Sequence, residues 1–166
     1  MTLSESLLAE FQREAQLTRK MLERLPDGKF DYKPHDKSMS LGKLSSHIAD
    51  IPNWVGVTIE TEELDFADFE YKPFEANTRD ELLKAFDGFV ANAVEVFKRN
   101  DDEKLMGNWT MKNGDQVYFT MPKAAVLREF VFNHNTHHRG QLSVYLRMND
   151  VPLPSIYGPT ADEGSM

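Results

Sequence analysis

The chain contains no cysteine. Disulfides, thiolate metal ligands and a cysteine nucleophile are therefore excluded, and any metal chemistry must rest on His, Asp and Glu. Basic charge is also scarce, with 19 Lys and Arg against 27 Asp and Glu for a formal charge of −8. Such a surface repels the phosphate backbone of nucleic acid and anionic membranes, so neither is expected as a partner. No apolar run approaches the roughly 18 residues of a membrane helix. The amino terminus, MTLSESLLAEFQRE, carries acids where a secretory leader carries positive charge, so a cytoplasmic location is expected. With 166 residues, 40% of them hydrophobic, one domain spanning residues 1–166 is the natural unit.

Helical periodicity dominates what is present. Leu3, Leu7, Phe11, Ala15, Leu22 and Leu25 recur in roughly helical spacing over 3–25 and stop at Pro26-Asp27-Gly28. Ser40 is placed to cap a second helix over 40–57, with Leu44, Ile48, Ile51 and Val55 on one face, His47 and Trp54 toward its edge, and Pro52 set to kink the helix or end its regular part about a turn earlier. Residues 60–77 read as a loop. Thr78 and Glu81 form a capping-box pattern before a third helix over 78–100. Asn113-Gly114, set between stretches rich in Trp, Tyr, Phe and Thr, marks a short hairpin. A fourth helix is expected over 122–148, beginning at Pro122. The fold class is all-α: a four-helix bundle with a small β-hairpin between the third and fourth helices.

The fourth helix carries FVFNHNTHHRGQLSVYLR, which holds three of the five histidines. At 100° per residue, His134 and His138 fall in the middle of the inward arc that Leu127, Phe130, Val131, Leu142 and Tyr145 define. Four residues apart, their rings project from one face and can share an ion. His137 lies about 80° from the centre of that arc, toward the rim or solvent. Two imidazoles are half of a tetrahedral site, and His47 on the second helix is the natural third ligand. Three clustered neutral imidazoles without a shared partner would strand several polar groups at about 1–3 kcal/mol each, a cost that a common ion removes. A zincin protease needs a glutamate just after the first histidine; Asn135 stands there. His35, beside Pro34 in a loop, reads as an ordinary exposed histidine. Gln141 is a candidate to orient a histidine from outside the ligand set, or to serve as a core hydrogen-bonding residue. Gly140 suggests close approach of another helix or the tail, and Arg139 a surface or tail partner.

Three stretches, SMSLGKLSSHIADIPNW, NHNTHHRGQLSVYLR and VPLPSIYGP, resemble the DinB/YfiT-like metalloenzymes, the damage-inducible DinB proteins unrelated to the polymerase of that name. The resemblance spans nearly the whole chain. It implies up-down-down-up connectivity, a divalent ion on His47, His134 and His138, and a homodimer, which would also cover exposed aromatics of the 66–74 loop or a helix face. Some members of that group transfer a low-molecular-weight thiol such as bacillithiol or mycothiol, or use mycothiol in isomerisation. Three imidazoles suit Zn, Ni, Mn or Fe and leave coordination positions open. Lacking cysteine, the chain would take its sulfur from a cosubstrate. The leading expectation is a metal-dependent thiol S-transferase acting on a small-molecule electrophile. The alternatives are a metal-dependent hydrolase, for which no carboxylate stands out as general base, and a noncatalytic protein with a structural or sensing ion.

Overall fold

The structure, a computed structural model, describes residues 1–68 and 72–164. It is mostly helical, with a small three-stranded sheet. Helix α1 (Leu3–Leu22) starts at a reciprocal cap, in which Thr2 Oγ1 accepts from Glu5 N at 3.1 Å and Glu5 Oε2 from Thr2 N at 2.8 Å. It ends three residues before the expected boundary, yet Leu25 in the following turn is as fully buried as Leu22.

The expected second helix is two helices. Ser40 Oγ caps α2 (Leu41–Asp50) by accepting from Lys43 N. Pro52 has no N–H to continue the ladder, so α2 stops and α3 (Asn53–Glu60) begins beyond it. Leu44, Ile48, Ile51 and Val55 all remain buried across the break. Helix α4 (Arg79–Arg99) is capped by Thr78, but Glu81 Oε2 accepts from Asn77 N, one residue before the position a capping box uses. A short α5 (Asp102–Met106) follows, and both oxygens of the Asp102 carboxylate accept from Leu3 and Ser4 N–H, tying α5 to the start of α1.

The expected loop over 60–77 contains strand β1 (Glu63–Asp65), which pairs in parallel with β2 (Asn108–Asn113); β3 (Gln116–Pro122) pairs antiparallel on the other side. The hairpin is thus part of a three-stranded sheet. Three residues are too short for β1 to announce itself by alternation. The turn residues are Gly114 and Asp115, one position later than the Asn113-Gly114 reading, and Gly114 takes the φ of +57° the turn needs. Asp65 Oδ1 accepts from Gly114 N at 2.9 Å, holding the turn to β1.

The last helical stretch is not uniform. It runs as α6 (Lys123–Leu127), a π-helical segment (Arg128–Asn133) and α7 (His134–Arg147). Helix α1 packs along α4 and against α7, while α2 lies against both α4 and α7. One core cluster joins Leu22, Leu44, Ile48, Leu82, Leu142 and Leu146; a second joins Phe11, Ile51, Val55, Val96, Phe97 and Leu127. Lys123 is fully buried and donates to Ile59 O and Thr61 O at 2.9 and 2.6 Å, which satisfies carbonyls at the end of α3. Of the aromatics expected to be exposed over 66–74, Phe66 is exposed and Phe74 half-buried, whereas Phe69 and Tyr71 lie outside the described residues.

Candidate metal centre

Helices α2 and α7 pack side by side, which brings His47 of α2 to His134 and His138 of α7. His134 Nε2 stands 2.8 Å from His47 Nε2 and 3.1 Å from His138 Nε2. One ligand atom from each ring falls within 4.8 Å of the others. The sequence reading selected these three residues, and the structure places them together. His138 is buried and the other two are half-buried.

Burial sets the chemistry of the cluster. It pushes His134 down to about 4, helped by the neighbouring histidines. His47 is lowered chiefly by burial and then by His138, against an opposing contribution from Asp50. His138 is lowered by burial, partly offset by its hydrogen bond to Gln141. All three rings are thus held toward the neutral, lone-pair-bearing form that a metal requires.

Hydrogen bonding decides where the lone pairs point. Gln141 Oε1 lies 2.8 Å from His138 Nδ1, and a proton on Nδ1 donated to that oxygen leaves Nε2 bare toward the cluster. A single imidazole proton between His47 and His134 cannot satisfy three converging nitrogens. Nitrogens bound to one ion at about 2.0–2.1 Å stand roughly 3.0–3.4 Å apart. The two short separations here are near that range, and the donor set fits a divalent cation.

His137 is exposed and outside the cluster; its Nε2 contacts the other end of the Gln141 amide at 3.1 Å. The Gln141 side chain is itself exposed and reaches His138 along the helix surface. Exposed His35 accepts from Lys37 N within its own turn. Arg139 turns away from the cluster into a buried site: it is 3% exposed and pairs with Glu14 Oε2 at 2.7 Å. It also donates to Thr18 Oγ1 and to the Tyr157 hydroxyl of the C-terminal tail. The tail partner was expected; burial was not. A side-chain atom built on Gly140 would meet nothing within 4 Å, so the close approach expected there is absent among the described residues.

His47 and His134 also form part of the wall of a cavity of about 450 Å³. Trp54 and Phe130 line it with rings inclined at 17°, and Phe119 continues the stack behind Phe130. Asp50, one turn after His47, is in the same wall, and Lys43 and Glu75 pair across it at 3.7 Å. Sequence reasoning missed Asp50 as a site residue, although its i+3 spacing from His47 was a readable signal. Phe130, read on the inward arc, packs against the Trp109 cluster and also lines the cavity, four residues before His134.

A helical protein with three convergent histidines beside an open cavity defines the class, and comparison defines the family. The DinB family model matches residues 1–164, and the chain belongs to the DinB family. It is 25% identical over 163 residues to the uncharacterized protein YrdA of Bacillus subtilis strain 168, covering 96% of this chain and 90% of YrdA. A DinB-like protein from Bacillus cereus ATCC 10987 shares its fold with a TM-score of 0.70 at 21% identity, covering 94% of this chain and 98% of that one. The DinB-like YjoA of Bacillus subtilis gives a TM-score of 0.69 at 21% identity, covering 91% and 96%. Among the described residues no helix is long and apolar enough to cross a membrane.

Proposed function

We propose that this protein is a single-domain four-helix-bundle metalloenzyme, α2 and α3 together forming one member of the bundle, which holds a divalent ion on His47, His134 and His138. It transfers a low-molecular-weight thiol, such as bacillithiol or mycothiol, to a small electrophile. The observation that carries this reading is the convergence of three Nε2 atoms at the wall of an open cavity. Among the described residues the group contains no fourth His, Asp or Glu, which favours a reactive site over a closed structural one.

An ion held there would supply Lewis acidity and lower the pKa of a thiol or a water. The chain's own residues do the rest. Gln141 fixes the ring orientation and tautomer of His138. The aromatic wall excludes water from the body of the cavity and holds the electrophile beside the histidines. The sulfur comes with the cosubstrate, because the chain has none to offer as a thiol.

Asp50 supports a second reading, hydrolysis, by supplying a carboxylate in the same cavity to accept a proton from water. A turnover screen separates the two: metal-loaded protein is assayed against electrophiles with and without added thiols. Thiol-dependent conjugate formation supports transfer, and thiol-independent product supports hydrolysis. Elemental analysis of untagged protein tests their shared premise, which falls if no divalent metal is bound near stoichiometrically. A symmetric homodimer belongs to the same reading, and a monomer by light scattering at micromolar concentration would remove it.

A further inference from the structure

The Arg139 cluster is satisfied, but Asn135 beside it has one acceptor over. Asn135 follows His134, is 9% exposed, and donates through Nδ2 to Thr18 Oγ1 at 2.8 Å. Arg139 Nη1 donates to the same oxygen at 3.1 Å, while Arg139 Nη2 is taken up by Glu14 and Tyr157. Asn135 Oδ1 is fully buried and meets no donor among the described residues. Buried oxygens of this kind are as a rule paired, with protein or with ordered water. Asn135 also lines a cavity of about 10 Å³ where the helices meet. Buried Phe11 and Ala15 of α1, Phe86 of α4 and Val131 of the π-helical segment give it apolar walls. Glu14 is its other polar lining residue, and it takes Arg139 and Tyr157 on Oε2, which leaves Oε1 to accept.

We propose that this cavity is the binding site of one ordered water, which donates one hydrogen to Asn135 Oδ1 and the other to the Glu14 carboxylate. Both side chains have an acceptor to offer there, so the ligand must be a donor twice over. Water is that. A cavity of about 10 Å³ is room for a single water and for no larger molecule, and two polar partners are the fewest that hold one in place. The bridge ties α1 to the first turn of α7 at the residue after His134. It stands whether or not the histidines carry an ion.

The test uses the full chain with labelled methyl groups and reads magnetisation transfer from water to methyl protons, which do not themselves exchange with solvent. Ala15 and Val131 line the cavity, and Val96, fully buried in the second core cluster, is the control. Transfer to Ala15 and Val131, with the sign of a water that tumbles with the protein, is expected, and none to Val96. Asn135→Leu removes the acceptor but keeps the neighbouring Thr18 hydroxyl, so it should abolish the transfer. Should that variant fail to fold, Ala15→Val fills the cavity from α1 instead, and the Val131 signal should vanish. A crystal structure should then place the water oxygen about 2.5–3.0 Å from both Asn135 Oδ1 and a Glu14 oxygen. No transfer in the wild type would overturn the proposal, and so would transfer that survives the substitution, because its source would be the Thr18 hydroxyl. A sodium ion in the same space gives no transfer and makes stability rise when sodium replaces choline at equal ionic strength; that result overturns it too.

Discussion

Helix α7 carries buried polar side chains in two directions, and the two clusters are built on opposite principles. Toward the tail, Arg139 finds Glu14, Thr18 and the Tyr157 hydroxyl, and its guanidinium also lies 5.0 Å over the Tyr157 ring. Donors and charge are matched. Toward α2, His134 and His138 meet His47, and like meets like: three ring nitrogens converge without a carboxylate among them. A matched cluster is complete without a ligand, while an unmatched one needs something from outside. One helix thus supplies a structural clasp and a candidate reactive centre, separated only by helical phase.

The largest effect should come from breaking the matched side. Arg139→Ala leaves the Glu14 carboxylate, 14% exposed, without its cation, and removing one partner of a buried pair costs about 3–5 kcal/mol. Chemical denaturation should show that loss. Metal content of the folded fraction should be unchanged, and a drop in metal per folded chain would mean that the two sides are not independent.

The unmatched side should answer in the reverse way. His47→Ala, His134→Ala and His138→Ala should each lose most bound metal by elemental analysis. Each should also lose the stabilisation that added Zn²⁺ gives the wild type, about 2.7 kcal/mol at a hundredfold excess over Kd. His137→Ala should keep its metal, since it differs from His138 by one position and lies outside the cluster. Gln141→Leu frees the His138 ring and should weaken metal binding by roughly 10–100-fold. If His137→Ala empties the site while His138→Ala leaves it full, the assignment of the cluster is wrong.

Acid should distinguish the two clusters as well. The folded pKa of His134 is pushed to about 4 from an ordinary value of 6.5, and those of His47 and His138 are lowered too. Between those two values the unfolded chain binds more protons than the folded one. The contribution of His134 to metal-free stability is therefore fully present above pH 6.5 and is lost as pH falls toward 4. Partial exposure of the ring keeps its size modest. Denaturation midpoints of metal-free protein from pH 7 to 4.5 should fall, and His134→Ala should flatten that slope. An unchanged slope would show that His134 titrates alike in the folded and unfolded chain.

The sequence made the histidine side more legible than the arginine side, for a physical reason. His134 and His138 repeat at the helical period within an apolar face, so spacing alone exposes them. Arg139 pairs with Glu14, 125 residues earlier, and no local pattern marks that contact. The helices were readable because caps such as Ser40 and Thr78 and stripes such as Leu44-Ile48-Ile51 are local signals. What stayed hidden was non-local or irregular: the three-residue β1, whose pairing with β2 spans the middle of the chain, and the π-helical turn before His134. A constant angular step cannot represent that turn.

The smallest effect tests the ground between the clusters. Gly140 follows Arg139 and precedes Gln141, on an exposed stretch of α7 where an added Cβ meets nothing within 4 Å. A mid-helix glycine is less favourable than alanine by about 0.5–1 kcal/mol, because the unfolded chain loses more conformational freedom in forming the helix. Gly140→Ala should therefore stabilise the protein by up to about that amount, leaving metal content unchanged. Thermal and denaturant unfolding at several protein concentrations supply the check. Stabilisation at every concentration means that the glycine serves neither cluster and no neighbouring copy. Destabilisation that grows with concentration would show that the bare backbone at Gly140 receives another chain, and that alanine fills space which association needs.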